Sequence, residues 1–385
     1  MKFRNPTDFT IGILGGGQLA KMIGMEARKI GFNVLVLDPS KDAVASTVSS
    51  LIVGQMSDRE KLSEMNSLSD IMTFEIEHID TQILREVLDT DKVLPSVNLL
   101  EIVQDKYRQR TFFQKRGIPV PVFKELEDYR DLKGCIPCVQ KAKRGGYDGR
   151  GVVLIKSKED LVKAIKEPSY VEEYVDIEKE LGVIVVRDRN GNVKVYPVVE
   201  MVFKQEGNLL DYLKVPADLE GEKVKEAQDI AVSAVEVLGG VGVFGVELFL
   251  DKRYRILLNE IAPRVHNSGH YTIEACETSQ FEQMVRVLTG LPLGSTYQYI
   301  PAVMINLLGE PGYRGKVVYE NLDRVMEIDG VYVHIYGKRE TFPYRKMGHI
   351  TILDFNKSRL LEKMAKVRSL IRVKGEIKDD RNNNG

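Results

Sequence analysis

Residues 9–38 constrain the fold of this chain more than any other stretch. Phe9–Leu14 is a short apolar run, followed by Gly15-Gly16-Gly17. Leu19, Ile23, Ala27 and Ile30 then recur at helical spacing, and Asn33–Leu37 is a second apolar run closed by Asp38. Strand, glycine turn, helix, strand is a βαβ unit, and parallel strands joined this way require a crossover helix. Further strands are predicted at Ser50–Val53 and Ile71–Phe74, the latter running into Glu75-Ile76-Glu77-His78. In open parallel sheets ligands collect at the carboxyl ends of the strands, which makes Glu75 a candidate contact. Gly15-x-Gly17-x-x-Ala20, with Asp38 about 20 residues on, also matches the dinucleotide fingerprint. That match raises a nicotinamide-dependent dehydrogenase as a rival reading.

A chain of 385 residues is expected to hold two or three domains. With 43% hydrophobic and 29% charged residues it has the balance of a soluble globular protein. The formal net charge of −1 supplies no attraction for a polyanion, so nucleic acid is not an expected partner. No apolar run approaches bilayer length and Met1–Thr10 is not a signal peptide, so no membrane association and a cytoplasmic location are expected. Three cysteines make no disulfide framework. Cys135 and Cys138 have redox-motif spacing, but no second pair completes a metal site and Cys276 is remote.

Val97–Arg116 reads as one long amphipathic helix, stopped by Gly117, Pro119 and Pro121. The first domain boundary is placed within it. Beyond it, strands are predicted at Cys138–Lys141, Gly151–Ile155 and Tyr170–Val175, around a short helix at Lys158–Lys166. Leu181–Val186 and Val193–Val199 flank Asn190-Gly191, a hairpin signal. Gly221–Leu238 is helical by its periodicity. Val241–Leu250 and Arg255–Ile261 form another hairpin across Asp251–Tyr254. Phe281–Leu288 is a helix ending at Gly290, and short strands at Ala302–Leu307, Val331–Tyr336 and His349–Leu353 precede a helix over Lys357–Ile371. The charged, Asn-rich tail from Lys374 is expected to be disordered.

Lys143-Arg144-Gly145-Gly146-Tyr147-Asp148-Gly149-Arg150-Gly151 packs four glycines and three cations into nine residues. Glycines let backbone N–H groups crowd an anion, and Arg and Lys supply the charge a polyphosphate needs. The run therefore reads as a lid over phosphates. In the second hairpin the turn places Glu247 and Glu260 nearly opposite each other, and opposed carboxylates repel unless neutralised. With the amide oxygen of Asn259 alongside, they are hard ligands suited to Mg²⁺ shared with phosphates. Glu172-Glu173-Tyr174-Val175 ends a strand before Glu180, a step at which backbone groups can read an adenine edge. His266 and His270 lie four apart, but Pro263 and Gly269 make a helix there unfavourable, so a substrate-contacting loop is preferred.

The order of these parts resembles the ATP-grasp superfamily: a lysine, a second lysine, a glycine-rich lid, an acidic hinge, and a carboxylate hairpin ending in Asn-Glu. Four segments narrow the match: Gly15–Leu19, Glu75–His78, Gly145–Gly151 and Asn259-Glu-Ile-Ala-Pro-Arg-Val-His-Asn-Ser-Gly-His270. They resemble the N5-carboxyaminoimidazole ribonucleotide synthetases, which carboxylate 5-aminoimidazole ribonucleotide with ATP and bicarbonate in purine synthesis. The resemblance spans residues 10 to about 370 and implies an α/β and α+β architecture of three parts. These are a Rossmann-like domain (1–105), an ATP-grasp region (106–298) with its lid subdomain at about 120–200, and a small β-rich C-terminal domain (299–375). The last residues, 376–385, form the disordered tail.

Residue by residue, the resemblance makes Lys106 (commonly an arginine), Lys141, Gly146, Tyr147, Asp148, Gly149, Arg150, Gly151, Val152, Glu172, Glu173, Tyr174, Val175, Glu180 and Asn259 ATP contacts. It makes Glu247 and Glu260 ligands of Mg²⁺ or Mn²⁺. Glu75, Tyr147, Arg150, Arg264, His266, Lys338 and Arg345 are implied ribonucleotide contacts, the last two for its 5′-phosphate. Asp148, Arg264 and His266 are the implied catalytic group, with Asp148 as proton acceptor. A homodimer is also implied. At Phe203 the family often has a histidine near the nucleotide, and that role is not carried over. A formate-dependent transformylase of glycinamide ribonucleotide is the sibling alternative.

Overall fold

The computed structural model describes residues 5–145, 151–203 and 209–378. Four parallel strands open the chain: β1 (Thr10–Leu14), β2 (Asn33–Asp38), β3 (Ser50–Val53) and β4 (Ile71–Phe74), ordered β3-β2-β1-β4. Helices α1 (Gln18–Ile30), α2 (Arg59–Leu68) and α3 (Thr81–Val87) connect or flank them. The helix expected over 97–116 is two, α4 (Val97–Gln104) and α5 (Lys106–Gln114). Asp105 breaks it: its backbone is extended and its side chain accepts from the Arg108 N–H, capping α5. The break turns α5 so that the Lys106 N–H donates to the Lys143 carbonyl, 2.8 Å away.

A four-stranded antiparallel sheet follows: β5 (Phe123–Glu125), β6 (Cys138–Ala142), β7 (Val152–Ile155) and β8 (Ser169–Glu173), ordered β5-β8-β6-β7. The helix expected at 158–166 is a shorter 3₁₀ turn, Lys158–Lys163. Then come β9 (Ile177–Arg187), β10 (Val193–Val195), β11 (Val199–Phe203), β12 (Leu210–Val215), α6 (Gly221–Val237), β13 (Gly242–Asp251) and β14 (Ile256–Ala262). Ala227, Ala231 and Ala234 of α6 pack against the buried faces of β9 and β13, small side chains letting helix and sheet approach closely. After α7 (Thr272–Ala275), α8 (Gln280–Thr289) lies against α1, joining the first unit to the second.

The C-terminal part holds β15 (Ala302–Leu308), β16 (Tyr313–Glu320), α9 (Leu322–Met326), β17 (Val331–Ile335), β18 (Glu340–Thr341), β19 (Lys346–Leu353), α10 (Lys357–Leu370) and β20 (Arg372–Lys378). Among the described residues, β15, β19 and β17 extend the central sheet to nine strands, in the order β14-β13-β9-β11-β12-β15-β19-β17 with β10 on β9. The expectation of disorder from Lys374 is corrected: Arg372–Lys378 pairs antiparallel with β16, burying Val373. Residues 379–385 lie outside the described residues. No described helix is long and apolar enough to cross a membrane. Cys135, Cys138 and Cys276 are free thiols, and burial pushes Cys138 up to about 11, away from redox reactivity.

Candidate active site

The hairpin β13–β14 places Glu247 directly opposite Glu260, with a register irregularity immediately after Glu247. Lys106, the first residue of α5, reaches across and donates from Nζ to Glu260 Oε2 at 2.7 Å. Asn259 Nδ2 lies 3.4 Å from Glu247 Oε2, and Asn259 Oδ1 accepts from Lys141 Nζ at 3.1 Å. Burial, then the charges of Glu260 and Glu180, push the Glu247 carboxyl well above the usual range. Partial desolvation acts the same way on Glu260, but the Lys106 charge and hydrogen bond outweigh it and hold Glu260 low.

Glu247 is thus a half-buried acid short of positive charge, which a cation would relieve. No cluster of three or more His, Cys, Asp or Glu able to hold a metal exists among the described residues. Two carboxylates and an amide oxygen fit Mg²⁺, which completes its shell with waters and substrate phosphates.

Lys141, on β6, is 8% exposed and its Nζ lies 2.8 Å from Glu172 Oε2. Glu172, on β8, is turned into the interior and held down to about 2, because Arg110 and Lys141 overcome its burial. Of its neighbours, Glu173 Oε1 accepts from the Val122 N–H at 3.2 Å and Tyr174 is exposed, while Val175 is buried. Glu180, on β9 opposite Phe249, is pushed up to about 7 by burial, with Lys141 pulling the other way. Val152 pairs with Lys141, and the Gly151 carbonyl accepts from the Ala142 N–H at 2.8 Å. The other lid positions, Gly146, Tyr147, Asp148, Gly149 and Arg150, lie outside the described residues.

In the first unit, Glu75 follows β4 and folds back over the glycine turn. Its carboxylate accepts from the N–H groups of Gly17 and, at 2.9 Å, Ala20. It therefore caps α1 at the place where a dinucleotide pyrophosphate would sit. Gly16 N–H donates to Asp38 Oδ2 at 2.8 Å. The glycines are required by this embrace: Gly15 has φ +103°, and a Cβ on Gly17 would lie 2.5 Å from Glu75 Oε1. Internal carboxylates thus fill the fingerprint, which removes the ground for the dehydrogenase reading.

Arg264 Nε lies 2.9 Å from Glu77 Oε1, a charge contact without hydrogen-bond alignment, bridging the two units. His266 Nδ1 lies 3.3 Å from the Ser268 N–H, leaving Nε2 at 3.6 Å from Glu247 Oε1. His266 packs so closely over β13 that a Cβ on Gly245 would be 2.4 Å from its own Cβ. His270 does not share this site. It is 1% exposed, its ring lies tilted against His349 with centroids 4.6 Å apart, and burial drives its pKa well below the usual value. Lys338 Nζ donates to the Lys346 carbonyl at 2.8 Å, and Arg345 Nη1 to the Glu340 carbonyl at 2.7 Å, so both cations are steadied by one loop.

The structure thus brings together Lys106, Lys141, Asn259, Glu247, Glu260 and His266. Sequence reasoning missed Arg110, which is 3% exposed and binds Glu172, and Glu77 as the partner of Arg264. The spacing of Arg110 four residues after Lys106, one helical turn, was a usable signal for the first.

Three family models match in sequence order. They are a ribonucleotide synthetase preATP-grasp domain (residues 9–104), an ATP-grasp domain (residues 111–281) and a phosphoribosylaminoimidazole carboxylase C-terminal domain (residues 302–363). The N5-carboxyaminoimidazole ribonucleotide synthase of Aquifex aeolicus is 39% identical over 376 residues, 94% of this chain and 97% of the relative. A chloroplastic phosphoribosylaminoimidazole carboxylase of Vigna aconitifolia is 39% identical over 93% of this chain, which spans 66% of that longer protein. The crystal structure of the Thermotoga maritima N5-carboxyaminoimidazole ribonucleotide synthetase superposes with a TM-score of 0.89 at 48% identity, covering 96% of this chain and 100% of that one. The Aspergillus clavatus enzyme, solved with ADP and 5-aminoimidazole ribonucleotide, gives 0.85 at 30% identity over 94% of this chain and 98% of that one. Fold, domain order and near full-length identity agree, and the chain belongs to the N5-carboxyaminoimidazole ribonucleotide synthase family of ATP-grasp enzymes.

Proposed function

We propose that this chain carboxylates the exocyclic amine of 5-aminoimidazole ribonucleotide, using ATP and bicarbonate and releasing ADP and phosphate. The observation that carries the reading is the convergence of Lys106 and Lys141 on the Glu247–Asn259–Glu260 hairpin, beside Arg264 and His266. Two cations facing two carboxylates suit a polyphosphate on one side and a divalent ion on the other.

A bicarbonate oxygen attacks the γ-phosphorus and the bond to the ADP oxygen breaks, giving carboxyphosphate. Mg²⁺, or Mn²⁺, held by Glu247 and Glu260 would neutralise charge on the transferring phosphoryl oxygens. Lys106 and Lys141 hold the nucleotide phosphates, Gly146–Val152 cover them, Glu172–Val175 line the adenine and Glu180 receives the ribose. Arg264 holds carboxyphosphate, with His266 beside it. Cleavage of the carbon–oxygen bond releases phosphate and CO₂, the amine nitrogen bonds to the carbon, and its proton passes to Asp148. Tyr147 and Arg150 contact the ribonucleotide, Lys338 and Arg345 take its 5′-phosphate, and Glu75 contacts the same substrate from the first domain. Lid closure excludes the water that would hydrolyse carboxyphosphate.

This assigns 1–105, 106–298 and 299–375 as the working units, in a cytoplasmic homodimer. The test is ADP release. It should require bicarbonate and be stimulated by the ribonucleotide; release indifferent to both, or dependent on formate, would refute the reading.

A further inference from the structure

Helix α5 presents two cations one turn apart, and the proposed chemistry uses only the first. Lys106 points at Glu260. Arg110 lies beneath it, 3% exposed, and its guanidinium is divided between two segments. Nε and Nη2 both converge on Glu172 Oε1, at 2.8 and 2.5 Å, while Nη1 donates to the Leu258 carbonyl at 2.6 Å. Tyr170 Oη adds a third donor to the same carboxylate oxygen at 3.1 Å. Oε2 is left to Lys141, whose Nζ also reaches Asn259 Oδ1.

The arrangement differs from a fork-to-fork arginine–carboxylate pair, in which each oxygen takes one N–H. Here one oxygen is saturated by Arg110 and Tyr170, so the other faces the lysine with its direction set. The partner of Nη1 is the carbonyl immediately before Asn259 and Glu260. Arg110 therefore ties the helix that carries it and Lys106 to two other segments, the strand ending in the hinge and the hairpin carrying Glu247 and Glu260. A buried ion pair returns in attraction about what it costs in desolvation, and well-packed apolar groups would stabilise the fold as well. Burial for stability alone does not account for a cation at this junction.

We propose that Arg110 is a positioning residue for the nucleotide. Through Glu172 it sets where Lys141 stands, and through Leu258 it fixes the hairpin segment bearing Asn259 and Glu260. Without it, Glu172 is free to turn both oxygens to Lys141 and draw the lysine away from the phosphates. The inference rests on the reading that Lys141 contacts the nucleotide.

The test compares Arg110→Lys and Arg110→Met with Lys141→Ala. The readouts are Mg-ADP affinity by calorimetry without the ribonucleotide, and KM for ATP and for the ribonucleotide at steady state. Lys cannot reach both Glu172 and Leu258 as Arg does. Both Arg110 variants should weaken Mg-ADP and raise KM for ATP about tenfold, while KM for the ribonucleotide stays within about twofold. Equal rises in both KM values, unchanged ADP affinity, or failure of both variants to fold would make Arg110 purely structural and overturn the proposal. A Lys141→Ala variant with normal ADP affinity would instead overturn the nucleotide reading. A Lys141 effect without an Arg110 effect would remove this inference alone.

Discussion

Replacing Glu260 by Gln keeps the side chain's shape and removes one charge from the carboxylate hairpin, and two opposing effects on stability follow. Lys106 loses a charge-assisted hydrogen bond of 2.7 Å. Such a bond is worth about 1.5–3 kcal/mol when desolvated, but the Glu260 side chain is 41% exposed. Screening brings the loss down to about 1 kcal/mol. Glu247, directly opposite, is relieved of a like charge, a gain of about 0.2–1 kcal/mol for a cross-strand pair. The balance is near zero, so Tm should move by no more than a few degrees. Turnover is a different matter, because the divalent ion loses one of two anionic ligands. A loss of about 4 kcal/mol in charge stabilisation corresponds to roughly a 10³-fold fall in kcat. The assay is ADP release with saturating ribonucleotide and bicarbonate over a Mg²⁺ titration, alongside thermal unfolding. Near-normal turnover at ordinary Mg²⁺ would refute the metal assignment. A collapse in Tm with proportionate loss of activity would show the residue to be structural.

Arg345→Ala should raise KM for the ribonucleotide about tenfold, as expected for one charge-assisted hydrogen bond of roughly 1.5–3 kcal/mol, with KM for ATP barely changed; the reverse pattern would assign the C-terminal loop to the other ligand. Glu180 binds its proton more tightly in the fold than in the unfolded chain, with the pKa raised from 4.5 to about 7. Its contribution to stability is therefore complete below about 4.5 and is lost as pH rises through about 7. Over the same range its carboxylate becomes a full acceptor for ribose hydroxyls, so KM for ATP should fall from pH 6 to pH 8. Both trends should flatten in Glu180→Gln, and an unchanged slope there would exclude Glu180 as the titrating group. NADH should show no fluorescence change on mixing, whereas Mg-ATP should bind; saturable NADH binding would contradict the filling of the glycine turn by Glu75.

Much of the site was legible because its determinants are local. The turn at Asp251–Tyr254 brings Glu247 and Glu260 nearly opposite by counting, and a register irregularity after Glu247 completes the pairing. The βαβ opening follows from periodicity and three glycines. What was not legible depends on long-range partners or on competition between motifs. Asp105 could continue a helix or cap one, and only the docking of Lys106 on Lys143 decides for the cap. Glycine spacing cannot reveal that Glu75, 58 residues after Gly17, supplies the anion. β20 looked like a polar tail because its stability comes from pairing with β16, not from its own alternation. His270 sits in a specific motif, yet its ring ends in the interior against His349, far along the chain.

The joining of β12 to β15 and β15 to β19 has a mechanical consequence. Five steps of the hydrogen-bonded order separate β13 from β19, yet the Lys346 charge is felt at Glu247. The strands from β13 through β9, β11, β12 and β15 to β19 form one continuous hydrogen-bonded ladder. The amides of such a ladder should exchange as a single cooperative unit. Glu247 on β13 and Lys346 on β19 then belong to one hydrogen-bonded piece, like jaws cast together. The separate sheet β5-β8-β6-β7 is left as the part that can tilt.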